Sequence, residues 1–277
     1  MPSIAEIYAD GVKSTLRDYF AAWLPSRVIT LGDVGVLDGN FFTPITNLKD
    51  SKINIPFQER KDSDLAPIDM QSESGVTTTF KGVGDISTAL PNVPQGEAGV
   101  KIEFGHTGAF VLQATETYEP YIEDILQLQE HVIDAFGDGR WQLDWAVVTR
   151  VVVAPSATIL VSRSSESKIE FSAKGDVSAG SFNLGDAKVK LGMRSQSGNI
   201  FKMAGVVNAT PLFQLAKIKV PWLRLPHILG PAKSRAAHME TRSTVAPSAL
   251  ITPQRVREEP SIARLMHLEL VEPPGSQ

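Results

Sequence analysis

The sequence has 277 residues, of which 42% are hydrophobic and 21% charged, and its formal net charge is −4. This is the composition of a globular protein with a hydrophobic core. There is no cysteine, which excludes disulfides, zinc–thiolate sites and cysteine nucleophiles. The N-terminus lacks the basic and apolar regions of a signal peptide, and no apolar run approaches about 18 residues, so we expect neither a signal peptide nor a transmembrane helix.

Residues 3–24 are predicted to form an amphipathic helix. Ser3 and Glu6 have the S-x-x-E spacing of a capping box, and Pro25 follows the last apolar position. The apolar residues recur at helical spacing, and many of them are aromatic. We expect this stripe to pack on the body of the domain, and contact with a membrane surface is the alternative.

The segment after this helix is predicted to be rich in β-strands. Residues 27–57 contain several short apolar runs, and Asp38-Gly39 between two of them is typical of a hairpin turn. Residues 76–116 are predicted to form a longer, more polar hairpin. Its first strand spans 76–90, and its tip is irregular because it contains two prolines.

Residues 119–136 are predicted to form a second helix. Pro120 fits the first helical turn, where its missing N–H costs nothing, and Gly137 fits the C-terminal cap. The stripe that faces the core is apolar except for Gln129. This pattern predicts a helix packed on the sheet.

The most apolar stretch of the chain is Trp145–Ala173. Its first part, Trp145–Val153, is apolar on both faces, which predicts a central strand buried on both sides. A short apolar run, Ala157–Val161, follows. Lys168–Ala173 then alternates between polar and apolar residues, which predicts a strand with one face in water.

A second hairpin is predicted over residues 168–194. Gly185-Asp186 is a plausible two-residue turn, because glycine accepts the positive φ that such a turn needs. The strand after this turn alternates cleanly between apolar residues and lysine or glycine. Thr210–Val220 is then predicted to return to the core as a last strand.

The composition changes near residue 229, where proline, serine, alanine and arginine become frequent. We predict an α+β body over 1–228 and a flexible C-terminal tail over 229–277, with a short apolar docking segment at 261–271. Residues 201–277 contain ten Lys or Arg and five Asp or Glu, so this part is basic while the rest is acidic. The predicted docking residues are Ile262, Leu265, Met266 and Leu268.

Together these elements predict an α+β fold. It would contain a twisted, mainly antiparallel sheet, an N-terminal helix and a second helix packed on it, and amphipathic β-hairpins. The histidines show no metal-ligand spacing, and no nucleophile motif has its companion motifs. We therefore expect no enzyme, no metal, no cofactor and no nucleic-acid partner; an active site would have to combine residues far apart in the sequence.

Taken in order, the elements resemble the pore-forming domain of gasdermins, particularly the short bacterial members. The resemblance is carried by the N-terminal helix, the polar hairpin, the second helix, the apolar strand WAVVTRVVV, the second hairpin and the return strand TPLFQLAKIKV. It covers roughly residues 1–222. Bacterial members commonly carry a lipidated N-terminal cysteine, and because this sequence has none, priming by cysteine acylation is not expected.

The resemblance implies a membrane pore-forming protein that acts in cell death or defence. Its partners would be membrane lipid, further copies of itself and an activating protease. The resting form would be cytoplasmic and would reach the membrane on activation, after proteolysis within 232–260 releases a tail that blocks assembly. Inserted strands need about 9–11 alternating residues within a closed barrel. The candidate membrane-inserting residues are Ile169, Phe171, Val177, Phe182, Leu184, Val189, Leu191 and Met193.

The alternative hypothesis is a non-enzymatic binding or assembly protein whose basic C-terminal tail docks a partner. Under this hypothesis both hairpins belong to an ordinary, half-exposed antiparallel sheet. It predicts a stable complex with the partner and no effect on membranes when the tail is removed.

Overall fold

A computed structural model of the chain shows an α+β fold of two antiparallel sheets with helices packed on the larger one, which confirms the predicted fold class. The residues described are 3–24, 27–62, 65–72, 74–83, 85, 90–173, 184–185, 191–220 and 251–273. The helices in these residues are α1 (Ile4–Thr15), α2 (Ile125–Gly137), α3 (Pro253–Glu258) and α4 (Pro260–Ala263). None of them is both long and apolar enough to cross a bilayer.

The larger sheet has ten strands, and its main path runs β1-β13-β10-β2-β3. β14 also pairs with β13, β8 and β9 pair with β10, β5 pairs with β8, and β4 pairs with β9. Its strands are β1 (Phe20–Ala21), β2 (Asp33–Asp38), β3 (Phe41–Asn47), β4 (Glu59–Lys61), β5 (Ala66–Gln71), β8 (Phe110–Thr117), β9 (Pro120–Ile122), β10 (Trp145–Ser162), β13 (Ile200–Lys219) and β14 (His267–Val271).

The smaller sheet has four strands in the order β12-β11-β7-β6. Its strands are β6 (Val76–Lys81), β7 (Ala98–Phe104), β11 (Ser167–Ala173) and β12 (Leu191–Ser197). The two sheets meet through an apolar cluster that includes Ile102 and Phe171 from the smaller sheet and Val111 and Leu160 from the larger. The smaller sheet is therefore a separate layer, joined to the larger by side-chain packing.

The predicted central strand is present and is longer than predicted. β10 spans 18 residues and includes both apolar runs of the sequence. Pro155 does not end it, because a register shift between Val152 and Ala154 precedes the proline, and bulges accept a residue that has no N–H. β10 pairs with the 20-residue strand β13 from Ala146 to Ser162, so the predicted return strand begins ten residues earlier, at Ile200.

α1 begins as predicted but is shorter than the helix predicted over 3–24. The capping box is formed, with Glu6 N–H donating to Ser3 Oγ at 3.2 Å and Ser3 N–H donating to Glu6 Oε2 at 2.5 Å. The helix ends at Thr15 because the chain then turns to place β1 beside β13. Its apolar face packs on the larger sheet, and Tyr8 is fully buried there.

α2 begins later than predicted. Asp124 is the N-cap and accepts a hydrogen bond from Gln127 N–H at 2.9 Å. The prediction that Pro120 lies in the first helical turn is wrong, because Pro120–Ile122 is the strand β9 and pairs with β4 and β10. The predicted apolar stripe is confirmed, and Leu128, Val132 and Phe136 are among its buried residues.

Two strand predictions need similar correction. Within 27–57 only β2 and β3 form, joined at the predicted Asp38-Gly39 turn, where Gly39 has a φ of 57°. The hairpin predicted over 76–116 is divided between the sheets, because β8 pairs with β10 and β5 rather than with β7. The strand predicted over 76–90 ends at Lys81.

Candidate functional site

Strands from both predicted hairpins lie side by side in the four-stranded sheet, which we name the hairpin sheet. β6 and β7 belong to the first hairpin, and β11 and β12 to the second. The inner strands β7 and β11 pair antiparallel from Ser167 opposite Phe104 to Ala173 opposite Ala98. Segments that are separated by about sixty residues in the chain are thereby joined into one antiparallel unit.

The inner face of the hairpin sheet is apolar and buried. Ile169 lies opposite Ile102, and Phe171 lies opposite Val100, and all four side chains are at most 2% exposed. They pack against the larger sheet in the apolar cluster that joins the two layers. Any contact of these residues with lipid would require the layers to separate.

The structure describes five of the eight candidate membrane-inserting residues. Ile169, Phe171 and Leu184 are buried, Leu191 is half-buried, and Met193 is 49% exposed on β12. The other three, Val177, Phe182 and Val189, lie outside the described residues, as does most of the predicted turn region around Gly185-Asp186. Membrane insertion by these residues stays a prediction.

Charged side chains from the two inner strands meet on the opposite, outer face. Lys168 Nζ lies 2.9 Å from Glu103 Oε1, and Lys101 Nζ lies 3.3 Å from Glu103 Oε2. The hydrogen bond from Lys168 is the main reason that the pKa of the Glu103 carboxyl is lowered, and partial burial opposes it. The same ion pair raises the pKa of the Lys168 ammonium. The pair between Lys168 and Glu103 joins the two strands and favours their observed register, whereas Lys101 and Glu103 both lie on β7.

Residues 90–97, part of the connection between β6 and β7, cover another part of this outer face. Val93 packs over Gly99, where a Cβ would lie 2.7 Å from Val93 Cγ2. Asn92 Nδ2 donates to Glu170 Oε2 at 2.9 Å, and Glu170 is 7% exposed. The prediction that the strand Lys168–Ala173 has one face in water is therefore wrong at Glu170, which this segment covers, although Lys168 at the start of the strand is exposed.

Two basic side chains help to hold residues 90–97 in place. Lys81 is 5% exposed, and its ammonium donates to the carbonyl oxygens of Val93 at 3.0 Å and Pro94 at 3.3 Å. Arg194 of β12 donates to Glu97 Oε2 at 2.5 Å and to Ser172 Oγ at 2.6 Å. The connection of the first hairpin is thus fastened to the second hairpin.

The C-terminal segment packs on the edge of the larger sheet. β14 pairs antiparallel with β13, from Val271 opposite Leu215 to His267 opposite Lys219. Of the predicted docking residues, Ile262, Met266 and Leu268 are buried and Leu265 is half-buried. The three buried residues belong to the cluster that also contains the core residues of α2. In this structure the segment contacts the body of its own chain.

Several residues of this site were not predicted from the sequence. α3 has a clear local signal, because Thr252 caps it by accepting from Arg255 N–H at 3.3 Å and Pro253 occupies the first turn. Gln129 was also recognisable in the sequence, because it is the polar residue in an otherwise apolar stripe. In the structure it accepts a hydrogen bond from Leu268 N–H. The long-range contacts of Lys81 and Asn92 have no local signature.

Over the parts of the chain that the structure describes, no group of three or more histidine, aspartate and glutamate side chains is arranged to hold a metal ion. The hairpin sheet instead offers backbone edges and apolar side chains. Its outer strands β6 and β12 pair with no further strand within the described residues. Such an arrangement is suited to packing, strand pairing or contact with an apolar phase.

Comparison with known proteins found no matching family model and no matching curated protein. Among solved structures, the chain is similar to the cryo-EM structure of the Gasdermin A3 membrane pore. The two are 10% identical with a TM-score of 0.34, and the match covers 80% of this chain and 91% of the other. A similarity of this extent establishes neither the family nor the activity of the chain.

Proposed function

We propose that the chain is a conditional membrane pore-forming protein, held inactive by its C-terminal segment and released by proteolysis. Its partners are membrane lipid and further copies of itself, and its resting form is cytoplasmic. The observation that carries the proposal is the hairpin sheet, in which both amphipathic hairpins are already joined into one antiparallel layer. Because this layer shares no strand pair with the larger sheet in the described residues, it can separate while its own ladder stays intact.

Strand length supports a change of conformation on insertion. β7 and β11 have seven residues each, whereas a membrane-spanning strand needs about 9–11. The connections 82–97 and 174–190 are long enough to lengthen both hairpins past this limit. Lengthening the first hairpin requires residues 90–97 to leave the outer face of the sheet. In the resting structure these residues cover the sheet, and in the inserted form they would extend its strands.

The proposed assembly of several copies follows from the hydrogen-bonding needs of the backbone in the membrane. Unpaired strand edges are not tolerated in the hydrocarbon region, so inserted hairpins must close into a barrel. In each copy β6 and β12 form the two edges of the hairpin sheet. Pairing the β12 edge of one copy with the β6 edge of the next is a head-to-tail contact, and such contacts generate a ring when the rotation closes.

The C-terminal segment is the proposed restraint. It buries apolar side chains against α2 and β13, and full burial of one such side chain contributes about 1.5–3 kcal/mol. β14 also covers the edge of β13 from Leu215 to Lys219. Cleavage before residue 251 makes the segment a separate molecule, so it dissociates on dilution and no longer rebinds at the high local concentration of a tethered group.

The test is cleavage within the assembled protein. A recognition sequence for a sequence-specific protease is inserted between residues 232 and 245 of the full chain, and the protein is cut in the presence of dye-loaded anionic liposomes. We expect dye release after cutting, and no release from the uncut protein or from protein without the inserted site treated with the same protease.

If complete cutting and separation of the segment leave the liposomes intact, the pore-forming proposal is wrong. Gel filtration of the cut protein decides whether the segment separated. A cut protein that keeps its fold, leaves liposomes intact and forms a stable complex with a soluble protein would support the alternative of a binding or assembly protein.

A further inference from the structure

Leu184 and Gly185 are the described part of the connection between β11 and β12, and they lie on the face of the larger sheet. Leu184 is 3% exposed and joins the apolar cluster between the layers. Backbone groups of both residues are bonded by side chains of β8 and β10. We refer to Leu184 and Gly185 as the tip of the second hairpin. This tip is therefore bound to the larger sheet at a defined place.

Gln113 of β8 binds the first of these backbone groups. Its Oε1 accepts a hydrogen bond from Leu184 N–H at 3.0 Å. Its Nε2 donates to Asp69 Oδ1 of β5 at 2.8 Å. Because the carboxylate can only accept, it fixes which end of the amide faces the tip.

Two hydroxyl groups bind the carbonyl oxygens of the tip. Thr158 Oγ1 of β10 donates to Leu184 O at 2.6 Å and accepts from Gly205 N–H of β13 at 3.1 Å. Thr158 is fully buried. Thr115 Oγ1 of β8 donates to Gly185 O at 3.3 Å. Thr158 and Gln113 are directly opposite each other in the β8–β10 ladder, so these groups form one compact set.

Gly185 fits this place because it has no side chain. A Cβ at this position would lie 2.5 Å from Gln113 O and 2.7 Å from Ala114 Cα, and both are backbone atoms of β8 that cannot move aside cheaply. The contact therefore requires a residue without a side chain at position 185.

We propose that Gln113, Thr115 and Thr158 form a socket that binds the tip of the second hairpin and that its opening controls release of this hairpin. The contact itself is independent of any membrane. Only its consequence, control of insertion, rests on the proposed pore-forming function. Gln113 and Thr158 act as positioning residues, and neither needs to contact lipid.

The test uses the absence of cysteine from the chain. A single cysteine is introduced as Leu184→Cys in the full-length protein, and its reaction with a thiol reagent is timed without membranes. We expect reaction much slower than that of Gln196→Cys, which is an exposed position on β12. Adding Gln113→Ala or Thr158→Val leaves buried backbone groups without partners, so reaction of the thiol introduced at the tip should become about tenfold faster or more.

Matched controls separate the socket from general loosening. Gln127→Ala and Thr43→Val make the same chemical changes at exposed positions on α2 and β3, and they should leave the labelling rate unchanged. In the chain with native Leu184, amide hydrogen exchange at residues 184 and 185 should accelerate in Gly185→Ala. Labelling of Leu184→Cys as fast as Gln196→Cys, together with unprotected amides at the native tip, would overturn the socket.

The readouts also separate this inference from the proposed function. Slow labelling that the socket variants accelerate, with no dye release after cleavage, would leave the socket intact and reject pore formation. Dye release after cleavage at the same rate in the parent and in Thr158→Val, with unchanged labelling, would reject the socket alone. If both proposals hold, Thr158→Val should release dye faster than the parent after cleavage.

Discussion

The backbone N–H of Leu268 donates to the side-chain oxygen of Gln129, 2.9 Å away, and joins β14 to α2. Gln129→Ala would leave this donor without its partner. Because an unsatisfied, partly buried donor costs about 1–3 kcal/mol, we expect a loss of that size in the free energy of unfolding. Urea denaturation measures it. Gln127→Ala, an exposed position on the same helix, is the control and should have almost no effect; equal effects would contradict a role for the hydrogen bond.

The buried side chains of the C-terminal segment should differ sharply in importance from its exposed ones. Met266 is 2% exposed within the cluster formed with α2, so Met266→Ala should destabilise the protein by about 2–5 kcal/mol. Leu270 is 56% exposed, and Leu270→Ala should cost far less. Thermal unfolding compares them. Under the proposed function, Met266→Ala should also release some dye from liposomes without cleavage.

Lys81 should control the position of residues 90–97. Lys81→Met keeps the apolar stem but removes the ammonium that binds the carbonyl oxygens of Val93 and Pro94. The covering segment should then be cut faster by a broad-specificity protease, because hydrogen bonds to charged groups contribute about 1.5–3 kcal/mol. Lys52→Met, in an exposed turn, should leave the cutting rate unchanged. An unchanged rate in Lys81→Met would show that other contacts hold the segment.

The ion pairs of Glu103 should make the hairpin sheet sensitive to acid. Its pKa is lowered from the ordinary value of 4.5, mainly by Lys168. The stabilisation is therefore complete above that ordinary value and is lost as the pH falls through it toward the pKa of the folded state. Glu103→Gln should reduce the loss of stability that occurs as the pH falls below about 5. Glu130→Gln, exposed on α2, should leave the pH profile unchanged.

The local pattern of apolar and polar residues correctly predicted the elements whose buried faces are set by their own residues. The run Trp145–Val153 is apolar on both faces, and it lies at the centre of the larger sheet. The stripe of α2 was also correct, and its polar exception, Gln129, binds the C-terminal strand. In these cases the residues that specify the element also form its contacts.

Prediction from local sequence failed where contact with a distant segment determines the structure. Glu170 looks like a solvent-facing residue of an alternating strand, but residues 90–97 cover it. Pro120 fits a helix start equally well until pairing with β4 and β10 places it in a strand. Gln113 and Thr158 gain their roles only because the hairpin tip reaches them across the fold. These long-range contacts cannot be predicted from any window of neighbouring residues.

The separation of the two sheets into layers also has a consequence for temperature. In the described residues the layers share no strand pair and are joined largely by apolar side chains such as Phe171 and Leu160, with the tip contacts at one place. Apolar contacts weaken on cooling, whereas the hydrogen-bonded ladders within each layer depend on them far less. Cold should therefore loosen the junction between the layers before it loosens either sheet, leaving two intact β-layers that move apart.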